Sequence, residues 1–343
     1  MAKLSFPADV AKGLFLRSNF PALGRFGIKS FYLWSRKGRE ISGNSRLLLD
    51  AIQPVDPLRS VKNPPPINIV MPFVRKDLAM LPHAVAGAVR SSKNPIQKVL
   101  LITPNRTFAD GAVSGAEIID EILEKVGADY PSLNIEIRRD EEVLGESLVE
   151  ELQKLVLSPR YNGWVTQQLV KILAVMQSDS VASLVVDSDT VLQFPRVWVD
   201  GLGRQALSIG QECREVPFLH ANKFLGITSR PLLSFVTHHQ LVQKDLLQTI
   251  FPDGAESVGA WLRFADPRDD DSLTGLKLND YETYGAFVYT HHPERTFLAT
   301  WGNGSGIRDM LNPSKKESTP PTWPLSVSYH HYRSDTISDP KMF

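Results

Sequence analysis

The chain has 343 residues, of which 42% are hydrophobic and 22% are charged, and its formal net charge at pH 7 is zero. These values are typical of an ordinary folded protein with one large domain or two smaller ones, and the neutral balance gives no reason to expect a nucleic-acid partner. The single cysteine, Cys213, excludes an internal disulfide framework and fits a reducing compartment.

Residues 1–65 are predicted to form a basic and aromatic N-terminal extension. Residues 1–50 carry nine lysines and arginines against three acidic residues, with seven aromatic residues among them. Such a segment either packs its aromatic side chains on the main domain, which we favour, or lies on an anionic membrane surface. Because no stretch approaches the ~20 apolar residues of a membrane span, we expect a cytoplasmic protein, with peripheral contact at the inner face of the membrane as the alternative.

The proline cluster Pro64–Pro66 marks the start of the main domain, which is predicted to span residues 66–310. Short apolar runs that are typical of buried strands alternate there with stretches of helical periodicity. The predicted strands cover residues 67–71, 99–103, 134–137 and 182–186, and the predicted helices cover residues 78–91, 116–126 and 163–178. This alternation predicts an α/β fold with a mostly parallel, Rossmann-like sheet flanked by helices.

The pattern becomes weaker after Pro195. A further strand is predicted over residues 231–236, and helices are predicted over residues 241–250 and 278–288. Residues 311–343 are rich in proline, serine, histidine and charged residues, so they are predicted to form a C-terminal surface tail.

The most informative motif is Asp187-Ser188-Asp189, directly after the predicted strand over residues 182–186. Open parallel sheets bind their ligands at the carboxyl ends of the strands, and paired carboxylates there suit Mg²⁺ or Mn²⁺ and, through the metal, a diphosphate. Asp187 and Asp189 are therefore candidate metal ligands, and Asp187 and Ser188 are candidates for contacting a bound nucleotide. A solvated turn, in which aspartates bond their own backbone, is the structural alternative.

Two reaction classes use such a motif. In phosphatases of the haloacid-dehalogenase type, the run from Asp187 to Val191 would make Asp187 the nucleophile and Asp189 a general acid or base. In nucleotide-sugar transferases of the GT-A type, the carboxylates hold a divalent metal that bridges the donor diphosphate. The phosphatase motif belongs on the first strand of its domain, whereas three predicted strands precede Asp187, so we favour the transferase.

Blocks on either side of the motif resemble one family. They are Gly163-Trp164-Val165-Thr166-Gln167-Gln168-Leu169-Val170-Lys171, Asp187–Thr190, Ser234–His239 and Asp280–Gly285. Together they resemble a family of bacterial glycosyltransferase-like proteins with an uncharacterised domain of the DUF6492 type. The resemblance covers roughly residues 67–301. It implies a GT-A-like fold and sugar transfer from a nucleotide-sugar donor, with a saccharide or surface polysaccharide as acceptor.

The helix before the motif carries two candidate donor-binding residues, because Gln168 and Lys171 lie on one side of it. Gln168 would hydrogen-bond a sugar or base, and Lys171 would pair with a phosphate. A solvated polar helix face is the alternative. His238 and His239 are candidates for binding a phosphate oxygen, and His239 is also the predicted third metal ligand.

The first predicted strand leads into a loop where a nucleotide base and ribose would lie, and its candidate residues are Pro72, Arg75 and Asp77. Glu282 is the predicted base that deprotonates the acceptor hydroxyl if transfer inverts the anomeric carbon, and Asp280 is the second catalytic candidate. The alternative for Glu282 is an acid that favours a helix dipole.

The sequence therefore predicts a glycosyltransferase that depends on Mn²⁺ or Mg²⁺, with a nucleotide-sugar donor and a saccharide acceptor. Two alternatives stay open. One is a phosphatase that uses Asp187 as its nucleophile, and the other is a protein that binds nucleotides or sugars without catalysis.

Overall fold

The computed structural model describes residues 57–108, 111, 113–127, 130, 132–155, 159–210, 215–231, 233–265, 277–301, 303–305 and 326–328. The strands are β1 (Ile67–Pro72), β2 (Ile96–Thr103), β3 (Ile135–Arg139), β4 (Ala182–Val186), β5 (Thr190–Leu192), β6 (Gln205–Ile209), β7 (His239–Gln243), β8 (Thr296–Thr300), β9 (Asn303–Ser305) and β10 (Ser326–Ser328). The helices are α1 (Leu81–Arg90), α2 (Gly115–Val126), α3 (Asp140–Leu144), α4 (Glu146–Lys154), α5 (Pro159–Gln177), α6 (Glu215–Phe224), α7 (Lys244–Ile250), α8 (Ala255–Ala265) and α9 (Asp280–His291).

Among the described residues, the central sheet has five strands in the order β3-β2-β1-β4-β7. The first four run parallel, and β7 runs antiparallel to β4. Helix α1 connects β1 to β2, α2 connects β2 to β3, and α3 to α5 lie between β3 and β4. The predicted α/β fold with a mostly parallel sheet flanked by helices is confirmed.

Apolar side chains of the sheet alternate between two buried layers, as the pleat of a strand requires. One layer packs against α5 and α7 to α9, and its strand residues include Val70, Leu100, Val185 and Val242. The other layer packs against α1 and α2, and its strand residues include Ile69, Leu101, Leu184, Val186 and Leu241. Burial on both faces explains why these strands are nearly continuous apolar runs.

Local chemistry fixes the chain where β1 and α9 meet the carboxyl edge of the sheet. Pro72 is the last residue of β1, and its ring leaves no N–H at this position of the ladder. The next turn closes on Asp77, whose Oδ2 accepts a hydrogen bond from Val74 N at 3.2 Å. Helix α9 begins after Asn279, whose side chain accepts a hydrogen bond from Glu282 N at 2.8 Å.

Two predictions in the second half of the domain are wrong. Residues 231 and 233–236 form no strand, and the predicted helix over residues 241–250 begins as strand β7 before α7 starts at Lys244. A short apolar run such as Leu241-Val242 fits either structure, and pairing with β4 decides for the strand.

The last described segment, β10, belongs to the domain and not to a surface tail. It is buried, and it pairs with β5 on one side and β9 on the other. The hydroxyls of Thr190 and Ser328 lie 2.6 Å apart. Strand β10 therefore holds the segment that directly follows Asp189. A second small sheet pairs β6 with β8 in parallel.

Several of the predicted features lie outside the described residues. They include residues 1–56, Cys213 and the rest of the predicted C-terminal tail. The predicted membrane contact of residues 1–50 falls there as well. Across the described ranges, no helix is both long and apolar enough to cross a bilayer.

Candidate functional site

The carboxyl ends of β1 and β4 meet at the point where the order of the strands reverses. The chain steps from β1 outward to β2 and β3, and then returns to place β4 on the other side of β1. Ser188 Oγ donates a hydrogen bond to Asp77 Oδ2 at 2.9 Å and so joins the turns that follow the two strands. Such a reversal opens a crevice in doubly wound sheets, and ligands bind in that crevice.

The turn after β1 brings both signs of charge to this crevice. Arg75 and Lys76 are exposed, while Asp77 is partly buried. Burial raises the pKa of Asp77, and the negative charge of Asp189 across the crevice raises it further. Asp77 and Asp189 are therefore close enough to interact, which the sequence did not predict, because they are 112 positions apart.

Asp187 is the centre of a buried network of charged side chains. Its Oδ1 accepts hydrogen bonds from Lys171 Nζ at 2.6 Å and from Tyr281 Oη at 2.8 Å. Its Oδ2 lies 3.1 Å from His238 Nδ1. Lys171 Nζ also lies 3.5 Å from Asp280 Oδ2, so that one lysine serves two carboxylates. Both oxygens of Asp187 are bound by groups of the protein itself.

Burial and charge act in opposite directions on these groups. Burial would raise the pKa of Asp187, but the charge of Lys171 and the bond from His238 overcome it and hold that pKa well below its usual range. Burial would lower the pKa of Lys171, yet Asp187 and Asp280 raise it above its ordinary value. For Asp280 burial prevails and raises the pKa to about 6. The network therefore holds Asp187 as a carboxylate and Lys171 as an ammonium at neutral pH.

The two adjacent histidines face opposite sides of the sheet. His238 lies opposite Asp187, on the side of the charged network. His239 pairs with Val186 and is fully buried on the other side, with its ring centroid 4.1 Å from that of Trp301 and 5.4 Å from that of Trp198. Because burial lowers the pKa of His239 to about 3, its imidazole is neutral. This placement corrects the expectation that His239 ligates a metal together with Asp187 and Asp189.

The predicted divalent metal fails a test of fit against these residues. Both oxygens of Asp187 already contact groups of the protein, and its Lys171 partner supplies a positive charge 2.6 Å away. Within the ranges that the structure describes, no group of three or more histidine, cysteine, aspartate or glutamate side chains could hold a metal ion. Of the predicted ligands, only Asp189 remains at the crevice.

Gln168 and Lys171 lie on one side of α5, as predicted, but they face the interior. Both are almost fully buried. Gln168 Oε1 accepts a hydrogen bond from Asp280 N at 3.0 Å and so fixes the first turn of α9. Lys171 binds carboxylates, so it is not placed to pair with a phosphate. These two residues position the site and do not line it.

Glu282 lies in the interior, away from the Asp187 network. It pairs with Arg230, and its Oε2 accepts a hydrogen bond from Phe235 N at 3.1 Å. The glutamate side chain is 3% exposed. A base needs a free oxygen within reach of the acceptor hydroxyl. This placement corrects the expectation that Glu282 is that base.

Tyr281 is the member of the network that sequence reasoning missed. Its hydroxyl bonds Asp187, and Lys171 Nζ lies 4.2 Å from the centre of its ring. It stands between two candidates, Asp280 and Glu282, within a block that resembles the family. Its position in that block was the available signal. Neighbouring side chains in the first turn of α9 point in different directions, so Tyr281 reaches Asp187 whereas Glu282 pairs with Arg230.

No protein-family model matches the chain, so membership of the DUF6492-type family is not confirmed. No curated protein matches it either. Among solved structures, mouse xyloside xylosyltransferase 1 in its apo form is similar at 10% identity and a TM-score of 0.42, covering 79% of this chain and 99% of that one. An active-site mutant of LgtC is similar at 13% identity and a TM-score of 0.42, covering 80% and 93%.

The galactosyltransferase LgtC in complex with donor and acceptor sugar analogues is similar at 12% identity and a TM-score of 0.39, covering 80% of this chain and 94% of that one. Likeness at these identities and TM-scores carries no argument about the chemistry of this chain. The function must therefore come from the residues of the site.

Proposed function

We propose that the protein is a glycosyltransferase that moves a sugar from a nucleotide-sugar donor to a saccharide hydroxyl. The observation that carries this proposal is the hydrogen bond between Ser188 and Asp77, which joins the ends of β1 and β4 at the reversal of strand order. That crevice is where doubly wound sheets bind nucleotides. The Asp187-Ser188-Asp189 motif lies on its β4 side, after the fourth parallel strand.

The donor would lie across the two turns. Arg75 and Lys76 are exposed on the β1 turn and carry the positive charge that a diphosphate requires. Asp77 and Asp189 lie close enough for their charges to interact, and they would accept hydrogen bonds from ribose or sugar hydroxyls. Pro72 ends the strand below them and fixes the direction of the turn.

The buried network has a different part in this proposal. Lys171 neutralises Asp187 from inside the fold, and Gln168 and Tyr281 tie the same region to α9. The network therefore holds the turn after β4 in place. The dependence on Mn²⁺ or Mg²⁺ that the resemblance implies is not part of the proposal, because the residues present do not fit that metal.

Binding of a panel of nucleotide-sugars tests the site. In titration calorimetry, Asp189→Asn and Asp77→Asn should each weaken the affinity for the preferred donor by about tenfold or more, which is ~1.4 kcal/mol. Asp120→Asn is the matched control, because Asp120 is exposed on α2. Wild-type affinity in both crevice variants would contradict the proposed site.

Turnover of the same panel with saccharide acceptors tests the reaction. Release of a nucleoside diphosphate that depends on the acceptor supports transfer. Release of inorganic phosphate from small phosphoesters, lost in Asp187→Asn, would support the phosphatase instead. Donor binding without any turnover would support a binding protein.

A further inference from the structure

We propose that Thr190 and Ser328 are positioning residues for Asp189, so that strand β10 sets the orientation in which Asp189 binds the donor. This inference rests on the proposed function, because it concerns the part that Asp189 has at the donor site. Two observations carry it. One is the strand pairing that holds the backbone after Asp189, and the other is a continuous set of hydrogen bonds between buried side chains that ends at its carboxylate.

The backbone of Asp189 is held on both sides. Thr190 N donates a hydrogen bond to Asp187 O at 2.9 Å, which closes a turn around Asp189. Thr190 is also the first residue of β5, where it lies opposite Ser328 of β10. Because a residue of a strand ladder directly follows Asp189, the position of its backbone depends on β10.

The side chain of Thr190 extends this support to the carboxylate. Its hydroxyl oxygen lies 2.6 Å from Ser328 Oγ and 3.4 Å from Asp189 Oδ1. Thr190 is 0% exposed and Ser328 is 2% exposed, so bulk water does not compete for these hydroxyls. Asp189 is only partly buried, and the contacts therefore lead from the interior to the crevice.

Further polar side chains continue these contacts into the interior. Asn303 Nδ2 donates a hydrogen bond to Ser328 Oγ at 2.9 Å, and Asn303 Oδ1 accepts one from Ser326 Oγ at 2.8 Å. Ser326 Oγ accepts a hydrogen bond from Trp301 Nε1 at 2.8 Å. Together these side chains form one hydrogen-bond row, whose members are Trp301, Ser326, Asn303, Ser328 and Thr190.

The interior end gives the hydrogen-bond row a direction. The indole of Trp301 can only donate, so Ser326 accepts there and gives its own proton to Asn303 Oδ1. The amide nitrogen of Asn303 then faces Ser328 and donates to it. The proton of the Ser328 hydroxyl is therefore available for Thr190.

The carboxylate requires the same direction from the other end. A carboxylate accepts hydrogen bonds and donates none, so the contact between Thr190 and Asp189 uses the proton of the threonine hydroxyl. The short contact between Thr190 and Ser328 must then use the proton of Ser328. All these protons point towards Asp189, and bonds that share one direction polarise and strengthen each other.

The hydrogen-bond row gives Asp189 a restraint that the crevice needs. Asp189 and Asp77 are close enough for their charges to repel each other. A hydrogen bond from Thr190 to Asp189 Oδ1 opposes this repulsion and limits rotation of the carboxylate. A group that is oriented in advance loses less conformational freedom when a ligand binds, so the row should raise the affinity for the donor.

Valine and serine at position 190 separate the hydroxyl from the shape of the side chain. Thr190→Val keeps the shape and removes the hydroxyl, whereas Thr190→Ser keeps the hydroxyl and removes a methyl group. In titration calorimetry with a panel of UDP-, GDP- and CMP-linked sugars, Thr190→Val should bind the preferred donor about fivefold more weakly, and Thr190→Ser should stay within about twofold of the wild type. Thr249→Val, at an exposed position of α7, is the matched control. A larger loss in Thr190→Ser than in Thr190→Val would overturn the proposal.

A double-mutant cycle shows whether Thr190 acts through Asp189. If it does, Thr190→Val should change the donor affinity by less than about twofold once Asp189→Ala has removed the carboxylate. A merely structural role would weaken binding by the same factor in both backgrounds, and that result would overturn the proposal. If Thr190→Val does not fold, Ser328→Ala takes its place in the cycle, with an expected loss of about threefold in the wild-type background.

The outcomes separate this inference from the proposed function. Wild-type donor affinity in Asp189→Ala would overturn the donor site and the positioning role together. Weaker binding in Asp189→Ala with wild-type affinity in Thr190→Val would overturn the positioning role alone. If no member of the panel binds the wild type, neither proposal stands.

Discussion

Two buried ion pairs lie at the start of α9 and differ in what they leave open. Arg230 and Glu282 are almost fully enclosed, with side chains 1% and 3% exposed. Arg230 also donates to Asn222 and to the carbonyl of Leu233. Lys171 and Asp187 are equally close, but the aspartate side chain is 18% exposed and shares its second oxygen with a histidine at the sheet edge.

The difference separates a structural pair from a site. The Arg230–Glu282 pair satisfies its own members and fastens the segment before β7 to α9. In the Lys171–Asp187 pair, the aspartate is partly exposed and also contacts a second group, His238. A buried charged pair with a partly exposed member at the edge of the sheet is a candidate for a functional site. A fully enclosed pair is evidence for a role in packing alone.

The largest expected effect is on the closed pair. Arg230→Met should lower the free energy of unfolding by about 3–5 kcal/mol, because it leaves Glu282 charged and buried. Urea denaturation measures this change. Transfer activity per folded molecule should stay near the wild-type value. The double variant Arg230→Met/Glu282→Leu should recover stability, and if it does not, the pair contributes more than charge compensation.

A smaller loss of stability is expected for the open pair. Lys171→Met should cost about 2–3 kcal/mol, because Asp187 keeps Tyr281 and His238 as hydrogen-bond donors. Donor affinity should fall as well, since the turn after β4 loses its internal support. The two measurements are urea denaturation and donor titration. Equal effects of Lys171→Met and Arg230→Met on donor affinity would remove the distinction between the pairs.

Asp187 and Asp280, the two carboxylates that contact Lys171, should respond to pH in opposite directions. Burial raises the pKa of Asp280 to about 6, above its value of ~3.9 in an unfolded chain. Its contribution to stability is therefore complete below about pH 4 and is lost as the pH rises through about 6, a change of roughly 2–3 kcal/mol. The pKa of Asp187 is lowered, so its contribution is present at neutral pH and lost in acid.

Denaturation of Asp280→Asn at several pH values isolates the first of these effects. As the pH rises from 4.5 to 7, through the pKa of Asp280 at about 6, the wild type should lose stability and the variant should become more stable relative to it. A difference that stays constant with pH would show that Asp280 is not perturbed.

The smallest expected effect is the removal of metal. Because the residues near Asp187 do not fit a resident divalent cation, EDTA should leave the midpoint of thermal unfolding within about 1 °C. Differential scanning calorimetry with and without EDTA measures this. A fall of several degrees, reversed by Mn²⁺ or Mg²⁺, would show that Asp187 is a ligand after all and that the network rearranges around a metal.

Sequence periodicity predicted most of the parallel sheet, because strands that are buried on both faces are continuous apolar runs. The strand that ends before Asp187 and the helix that carries Lys171 both lie where they were predicted. It failed at β7, where five residues of strand lead directly into α7 and no turn residue separates them.

The contacts of the site were less predictable than its elements. Asp187 was found because it follows a strand, but its partners come from α5, from the residue before β7 and from α9, and such pairing has no local signal. Glu282 was predicted to be catalytic because an inverting transfer needs a carboxylate base near the acceptor hydroxyl. Nothing in its neighbours showed that Arg230, 52 positions earlier, closes it off.

The alternation of His238 and His239 at the start of β7 makes the length of the preceding loop part of the site. If the loop were one residue shorter and β7 slipped by one position to follow it, His239 would take the place that His238 now holds beside Asp187. Gln240 would then take the place of His239 in the layer of Trp198 and Trp301. The length of this loop therefore decides which side chain contacts the first aspartate of the motif and which one packs against the two tryptophans.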